Sequence, residues 1–533
     1  MNIKTLLFKD IVIFSELFLA ISIIYLIIHC TFLTVQKKYP LVQNSIIALS
    51  TLSLFFSIYL IVNEHLSILG FTFLHNTILL DYTAFFSKII IGSLSLFCLI
   101  MMQTYVLNQK INNFEYFLLI LFSVLGLFLL CSSNDFLTAY LAIELQSLSF
   151  YVMAAFKKNS TFSVEAGIKY FILGSFASSM LLFGFSLLYG CTGTIYFNDL
   201  NDLFFNTIPG NQLALTQSSN DKIISLLFEL FYSNSYYLEQ NLTQESFENN
   251  LIKLAFVFIF IGLLFKLTVA PFHVWAPDVY EGSPSSSTFF FSVVPKLSIF
   301  VLLLRIFYSS FYGFLDSWRY FIVIVVVLSI VVGSFGGLEQ RKLKSLLVYS
   351  TFSHMGYALI AFNAGTFESI QMLLSYLVVY SFSGLCVWSI FLILRLKNTP
   401  NQKQNKDLTD MVLLGKSNYT LAIFFTTVLF SVAGFPPMIG FIVKLGIFTT
   451  AIESSMYFIA FISILCSVVG TFYYIRLIKV LYFEKSLVGK LYFPISYSYS
   501  VIITSLFFLL LFLFFNPTLL FLLSHKFSLL VFS

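Results

Sequence analysis

Residues 254–304 read LAFVFIFIGLLFKLTVAPFHVWAPDVYEGSPSSSTFFFSVVPKLSIFVLLL. Two lysines, Lys266 and Lys296, stand inside apolar sequence, and the run between them is broken by Pro271, Pro277 and a polar turn, Asp278 to Ser287. A charge at the centre of a bilayer helix costs roughly 2.5–3.5 kcal/mol on insertion scales. A chain keeps such a charge only where it faces a wet or paired interior. A helix broken near a buried charge is the sequence sign of an ion or substrate path.

The rest of the chain agrees with a membrane setting. Of 533 residues, 59% are hydrophobic and 10% charged, against about 25% charged in a soluble domain. A span needs ~20 apolar residues. The runs that satisfy this are 11–33, 41–62, 84–107, 115–132, 135–156, 165–190, 252–270, 286–308, 319–338, 344–363, 370–396, 419–452, 456–480 and 496–523. The expected fold is an all-α polytopic membrane protein of about 14 transmembrane helices. The twelfth run is too long for one straight span, and Ala433-Gly434-Phe435-Pro436-Pro437 cuts it. Non-helical backbone is therefore expected near Ala270–Pro271 and near Gly434–Pro437, because proline removes a donor and clashes one turn back.

Several function classes drop out. The six cysteines are scattered, with no CxxC, and fit neither a disulfide framework nor a metal site. No G-x-G-x-x-G, P-loop, H-x-x-H or H-E-x-x-H pattern occurs. The chain is expected to hold no nucleotide, haem or iron–sulfur cluster of its own, and no nucleic acid. The N-terminus MNIKTLLFKD shows no cleavage site before the first span, which reads as retained. High Phe and Tyr (67 and 30 residues) fit either an AT-rich organellar genome or simple lipid-facing composition.

Basic residues set the orientation. Seventeen of the 29 Lys and Arg fall on the side opposite the N-terminus and seven on the N-terminal side, with Lys88, Lys169, Lys266, Lys296 and Lys444 inside spans. The positive-inside bias places both termini outside. The stretch 197–253 is polar and reads as an outer loop, with an apolar piece from Ile223 to Tyr232 too short to span. Asn241-Leu242-Thr243 matches a glycosylation acceptor and reads as a chance match. Residues 397–418 form a second polar linker, on the inner side.

Broken helices at the seventh and twelfth spans suggest two inverted five-helix repeats, helices 4–8 and 9–13. The expected organisation is 1–114 as an N-terminal three-helix segment, 115–308 as the first repeat with its loop, 319–480 as the second, and 481–533 as a C-terminal helix. Within these units the charges differ in kind. Glu144 lies about nine residues into the fifth span, as a structural carboxylate, a proton-site carboxylate or one that tunes a lysine. Lys266 and Lys296 are too deep to snorkel well, and Lys444 follows the second break by seven residues. Desolvation destabilises a buried ammonium and a nearby carboxylate restores it, so a lysine whose carboxylate partner changes is a switchable proton site. Lys169, with Glu165 one turn earlier, reads either as an i, i+4 surface pair or as a site residue. His354 takes the repeat position matching Glu144, as a core residue or a relay. Lys88 reads as snorkelling and Glu16 as snorkelling or paired. Tyr473 and Tyr474 read as packing or lipid-facing residues, or as hydroxyls that hold water.

Six strings carry a family resemblance: AIELQSLSFYVMAAF, EAGIKYFILGSFASS, FKLTVAPFHVWAPDVYEGSP, VPKLSIF, RKLKSLLVYSTFSHMGY and AGFPPMIGFIVKL, in that order. They resemble the antiporter-like membrane chains of the proton-pumping NADH:quinone oxidoreductase, respiratory complex I. The match covers roughly residues 115–480, and APDVYEGSP favours the chain 2 branch. The resemblance implies proton-relay roles for Glu144, Lys169, Lys266, Lys296 and Lys444. It implies no cofactor in this chain, with FMN, iron–sulfur clusters and ubiquinone elsewhere in the complex. The implied partners are the other membrane-arm subunits, including the other antiporter-like chains, and membrane lipids. The implied location is the mitochondrial inner membrane, with a bacterial plasma membrane or a thylakoid as alternatives. Loop 197–253 is longer and more polar than the family pattern.

The expected function is proton translocation coupled to electron transfer from NADH to quinone, through a buried Glu/Lys relay. Near 4 Å, at an effective dielectric of ~20, a charge pair interacts by roughly 4 kcal/mol, enough to move a proton between sites. The alternatives are a cation/proton antiporter chain with no link to NADH, and a passive scaffold with vestigial charges.

Overall fold

The structure, a computed structural model, describes residues 13–35, 39–63, 71–109, 114–206, 235–394, 407–412, 414–484, 492 and 495–532. Three helices open it, α1 (Phe14–Val35), α2 (Tyr39–Asn63) and α3 (Tyr82–Asn108), with a short hairpin, β1 (Phe71–Phe73) and β2 (Ile78–Leu80), between the last two. Then come α4 (Glu115–Ser132), α5 (Phe136–Ala154), α6 (Thr161–Thr192), α7 (Phe197–Asn206), α8 (Ser235–Leu267), α9 (Trp275–Gly282), α10 (Ser285–Val293) and α11 (Pro295–Leu304). A π-helical turn, Arg305–Ser310, continues α11. The second half holds α12 (Leu315–Leu338), α13 (Leu343–Ala364), α14 (Phe367–Ile393), α15 (Leu414–Ser417), α16 (Tyr419–Ala433), α17 (Ile439–Glu453), α18 (Tyr457–Tyr482), α19 (Tyr497–Phe515) and α20 (Thr518–Phe532).

Local sequence explains where these helices start. The Asp135 carboxylate accepts from the Thr138 N–H at 2.8 Å and opens α5. Thr366 and Ser369 close a reciprocal cap at the start of α14. The Asn418 side chain accepts from the Leu421 N–H at 3.3 Å and opens α16. Each cap satisfies donors that the first helical turn leaves orphaned.

Among the described residues, 12 helices are long and apolar enough to cross a membrane, or up to 13 with α19 and α20 taken as one bent span. Two of the fourteen runs read from the sequence are broken, the one expected to be cut at Ala433–Pro437 and the last. The run 419–452 is not one helix but α16 and α17, of 15 residues each. The last run, expected as a single helix over 496–523, bends by 80° where Asn516-Pro517 parts α19 from α20.

The stretch read as loop 197–253 is helical at both ends, α7 and the first part of α8; Ile223–Tyr232 lies outside the described residues. Helix α7 forms because Phe197, Leu200 and Phe204 repeat at helical spacing and are all buried. Most of the 397–418 linker also lies outside the described residues, but Leu408–Met411 is a 3-10 turn whose Leu408 N–H donates to Arg341 O at 3.0 Å.

Two helical elements sit at the centre. Residues 285–304 are buried along their whole length, and α13 is nearly so. They carry Lys296 and His354. By contrast α6 turns an apolar face outward, with Phe162, Phe171, Ile172 and Phe176 exposed, as a lipid-facing or subunit-facing helix does.

Lys88 and Glu16 differ from a snorkelling reading. Lys88 is 1% exposed and Glu16 5%. Their side chains form an ion pair that ties α3 to α1, and Ser15 Oγ donates to Glu16 Oε2 at 2.6 Å. A carboxylate 72 residues away removes the need for the ammonium to reach the membrane surface.

Candidate functional site

Both expected breaks are present. Helix α8 stops at Leu267, where Thr268 adopts φ +61°, and helix resumes at Trp275. The Phe265 carbonyl accepts from the Thr268 N–H at 3.1 Å and from the Trp275 indole N–H at 3.3 Å. Helix α16 stops at Ala433, followed by Gly434 with φ +87°, a left-handed conformation that glycine tolerates without cost from a Cβ. Both Ala270–Pro271 and Pro436–Pro437 are cis.

A lysine ammonium stands at the C-terminal end of the first half-helix in each break. Lys266 belongs to the last turn of α8. Lys444, on α17, reaches back and donates to Val432 O at 2.8 Å and Ala433 O at 2.9 Å. A helix C-terminus carries the equivalent of about −0.5 charge and unpaired carbonyls, so it favours a cation. The breaks thus supply dipoles where a continuous helix would have none.

Each deep lysine also meets a tyrosine. Lys266 Nζ donates to the Tyr151 hydroxyl at 3.2 Å. Lys296 Nζ donates to the Tyr380 hydroxyl at 3.1 Å. Lys444 Nζ lies 5.3 Å from the centroid of the Tyr357 ring, within reach of a cation–π contact. Among the described residues, no carboxylate lies within 4.0 Å of any of the three ammoniums.

His354 lies between the last two lysines in this network. Its Nδ1 is 2.6 Å from the Tyr376 hydroxyl and its Nε2 3.1 Å from the Tyr474 hydroxyl. Its ring centroid is 5.4 Å from that of Tyr380, which holds Lys296, and 6.1 Å from that of Tyr357, which faces Lys444. A ring with both nitrogens bonded to hydroxyls can accept at one and donate at the other.

Glu144 is half-buried on α5. Its Oε2 is 3.3 Å from Ser147 Oγ, while its Oε1 is buried without a partner. Among the described residues, Glu144 makes no ion pair with Lys266. A cavity of about 10 Å³ lies beside the lysine, lined by Ser147, Lys266, Tyr170, Trp275 and Tyr280 among others.

Lys169 stands apart from this line. It is 44% exposed and pairs with Glu165 at 2.8 Å and Asp278 at 2.9 Å. The structure places it at the surface of the chain, bridging α6 and α9, with both carboxylates also exposed. The i, i+4 contact with Glu165 is formed, joined by the second carboxylate of Asp278.

Sequence reasoning missed the tyrosines. Tyr474 is buried and bonded to His354, not lipid-facing. The available signal was spacing. Tyr151 follows Glu144 by two helical turns, Tyr380 follows Tyr376 by one, and Tyr357 follows His354 by three residues, so each pair shares a helix face.

Among the described residues, no three His, Cys, Asp or Glu side chains gather as metal ligands. The site is a line of proton-bearing groups: amines, phenols, an imidazole and one carboxylate.

A family model described as NADH:quinone oxidoreductase/Mrp antiporter, transmembrane, matches residues 133–470. The chain is 36% identical over 520 residues to NADH-ubiquinone oxidoreductase chain 2 of Marchantia polymorpha, covering 97% of each. It is 37% identical over 399 residues to NADH-quinone oxidoreductase subunit N of Beijerinckia indica, covering 75% of this chain and 74% of that one. In fold it resembles a chain of respiratory complex I from Thermus thermophilus, with a TM-score of 0.73 at 23% identity, covering 96% of this chain and 99% of that one.

Proposed function

The chain belongs to the NADH:quinone oxidoreductase/Mrp antiporter transmembrane family and is a membrane subunit of respiratory complex I, and we propose that it carries protons along the buried line from Glu144 through Lys266, Lys296 and His354 to Lys444. As part of that complex it serves a proton-translocating NADH:ubiquinone oxidoreductase. The flavin, iron–sulfur clusters and quinone site lie on other subunits in this reading. The observation that carries it is the state of the three deep lysines, each held by phenols or helix carbonyls and none by a carboxylate. Neutral partners hold an ammonium without fixing its charge, so such a lysine can release its proton. A purely structural buried lysine would be expected to sit in an ion pair, as Lys88 does.

The line suits a coupled pump. A charge change at Glu144, driven from a neighbouring subunit, alters the field at Lys266, and transfers along the line follow. The two breaks, with a lysine at the end of each first half-helix, support reading 115–308 and 319–480 as inverted repeats around this line. Lys169, at the surface with Glu165 and Asp278, would act on the outer side of the line, as a contact to a neighbouring membrane-arm subunit.

The test is a complex carrying Lys296→Met, reconstituted in vesicles. NADH-driven proton uptake is expected to fall at least about tenfold with assembly intact. Wild-type uptake would remove Lys296 from the path. The family description also covers antiporter chains, and the same residues would serve a cation/proton antiporter. Purification of this chain with flavin and iron–sulfur proteins separates the two readings.

The proposed setting is the mitochondrial inner membrane, with both termini and the 197–253 segment on the intermembrane-space side and 397–418 in the matrix. The bias of basic residues supports it. Protease treatment of sealed inner-membrane vesicles of each orientation is expected to cut the two segments from opposite sides. Cleavage of both from one side would overturn the topology.

A further inference from the structure

Lys444 is held by backbone carbonyls rather than by a phenol, and the sequence around the second break explains why. In a continuous helix the carbonyls of Val432 and Ala433 would accept from the N–H groups four residues on. Positions 436 and 437 are both proline and have no N–H to offer. The turn after α16 uses the two carbonyls that come before. Phe430 O accepts from the Gly434 N–H at 2.9 Å and the Phe435 N–H at 3.0 Å, and Ser431 O accepts from the Gly434 N–H at 3.2 Å. Val432 O and Ala433 O are left to the Lys444 ammonium, at 2.8 and 2.9 Å. The two prolines thus free two acceptors, and a side chain from the next helix takes them up.

The lysine reaches them because two positions carry no side chain. Gly440 stands one turn before Lys444 on the same face of α17, and a Cβ there would come within 1.9 Å of Ser431 O. The start of α17 therefore lies directly on the end of α16. Gly434 lies against the lysine's own chain. A Cβ at 434 would fall 2.9 Å from Lys444 Cδ and 3.4 Å from its Nζ. The φ of +87° at Gly434 is a second reason for glycine, so steric room and backbone strain have to be separated by experiment.

Resting on the relay reading above, we propose that Gly434 is a positioning residue for Lys444: its empty side-chain space lets the ammonium settle on the Val432 and Ala433 carbonyls. An ammonium has three N–H bonds. Two are directed at backbone carbonyls, which accept a hydrogen bond and do not carry a proton onward. Proton exchange then runs through the third, and the two fixed bonds set its direction. The Tyr357 ring, its centroid 5.3 Å from Nζ, also bounds the place of the ammonium. A side chain at 434 lifts the lysine off the carbonyls and turns that third bond away from its partner in the line.

The experiment uses the intact complex in reconstituted vesicles and reads coupled NADH:quinone turnover, the quinone KM and assembly on native gels. The variants are Gly434→Ala, Gly434→Asn, Gly193→Ala, Lys444→Ala, and Gly434→Ala combined with Lys444→Ala. Gly193, with φ +72°, carries the same left-handed strain but has nothing within 4 Å of an added Cβ. Asparagine brings a Cβ to position 434 while visiting left-handed backbone more readily than other side chains. Both Gly434 variants are expected to lose roughly tenfold or more in turnover at an unchanged quinone KM, since a misplacement of about 1 Å can cost ~100-fold. Gly193→Ala should stay near wild type. On the Lys444→Ala background the colliding chain is gone, and Gly434→Ala should add no further loss. A Gly434→Ala effect no larger than that of Gly193→Ala, or one that persists in full on the Lys444→Ala background, would overturn the positioning role and leave the relay standing. Wild-type turnover in Lys444→Ala would remove Lys444 from the relay and the positioning role with it. If neither single Gly434 variant assembles, the combined variant decides: assembly restored by Lys444→Ala supports the collision with the lysine, and assembly still lost overturns it.

Discussion

Lys266→Met should leave the complex assembled and cost it its coupled turnover, by at least about tenfold. Methionine is close in size to lysine and carries no charge. The site it would occupy is the last turn of α8, beside the Tyr151 phenol and the break at Thr268. Replacing a buried charge by a well-packed apolar side chain is often neutral or stabilising, by about 1–4 kcal/mol. Folding therefore gives no reason for a defect, and a lost proton site does. Lys266→Arg should fail to rescue, because a guanidinium stays protonated at any working pH. Glu144→Gln should resemble Lys266→Met, since the amide keeps the shape near Ser147 and cannot carry the charge. Proton uptake in reconstituted vesicles, read beside native gels, measures all three. Normal pumping in both Lys266→Met and Glu144→Gln would show that protons take another way.

The opposite behaviour is expected at Lys88. Lys88→Met removes one partner of a fully enclosed ion pair and leaves the Glu16 carboxylate buried alone with Ser15. Breaking such a pair costs about 3–5 kcal/mol. The result should be loss of the assembled complex, with α1 detached from α3. The double substitution Glu16→Leu with Lys88→Met should restore assembly, because it removes the stranded charge as well. Coupled turnover in the rescued complex should be near wild type. A Lys88→Met complex that assembles fully and pumps poorly would instead place this pair on the proton path.

The two lysines show how far the sequence could be read. Lys266, Lys296 and Lys444 stand out because each interrupts an apolar run beside a proline, and proline breaks a helix wherever it falls inside one. Those rules act locally, so the breaks at 268–274 and 434–438 were legible. Lys88 also interrupts an apolar run, but with no proline near it, and its partner is on a helix 72 residues earlier in the chain. No local pattern gives that contact. Lys169 pairs with Glu165 one turn earlier, as local spacing allows, and also with Asp278 on α9, a contact that no local pattern gives. The tyrosines were hidden by their number, since a chain with 30 of them does not mark the few that face inward. Pro517 was passed over because no charge drew attention to it, and the bend of 80° follows there.

The shortage of carboxylates along the line has a consequence for how much it can store. Three amines share the interior with one acidic group, and the dipoles around them carry no net charge. With all three amines loaded and Glu144 ionised, the interior would hold an excess of two positive charges. At an effective dielectric of ~20, two unit charges about 10 Å apart repel by roughly 1.7 kcal/mol, more than a tenfold bias against the second. The line therefore behaves as a charge store that resists filling. Loading one end helps to empty the next, and directional discharge can arise from repulsion along a fixed scaffold, without a large movement of any helix.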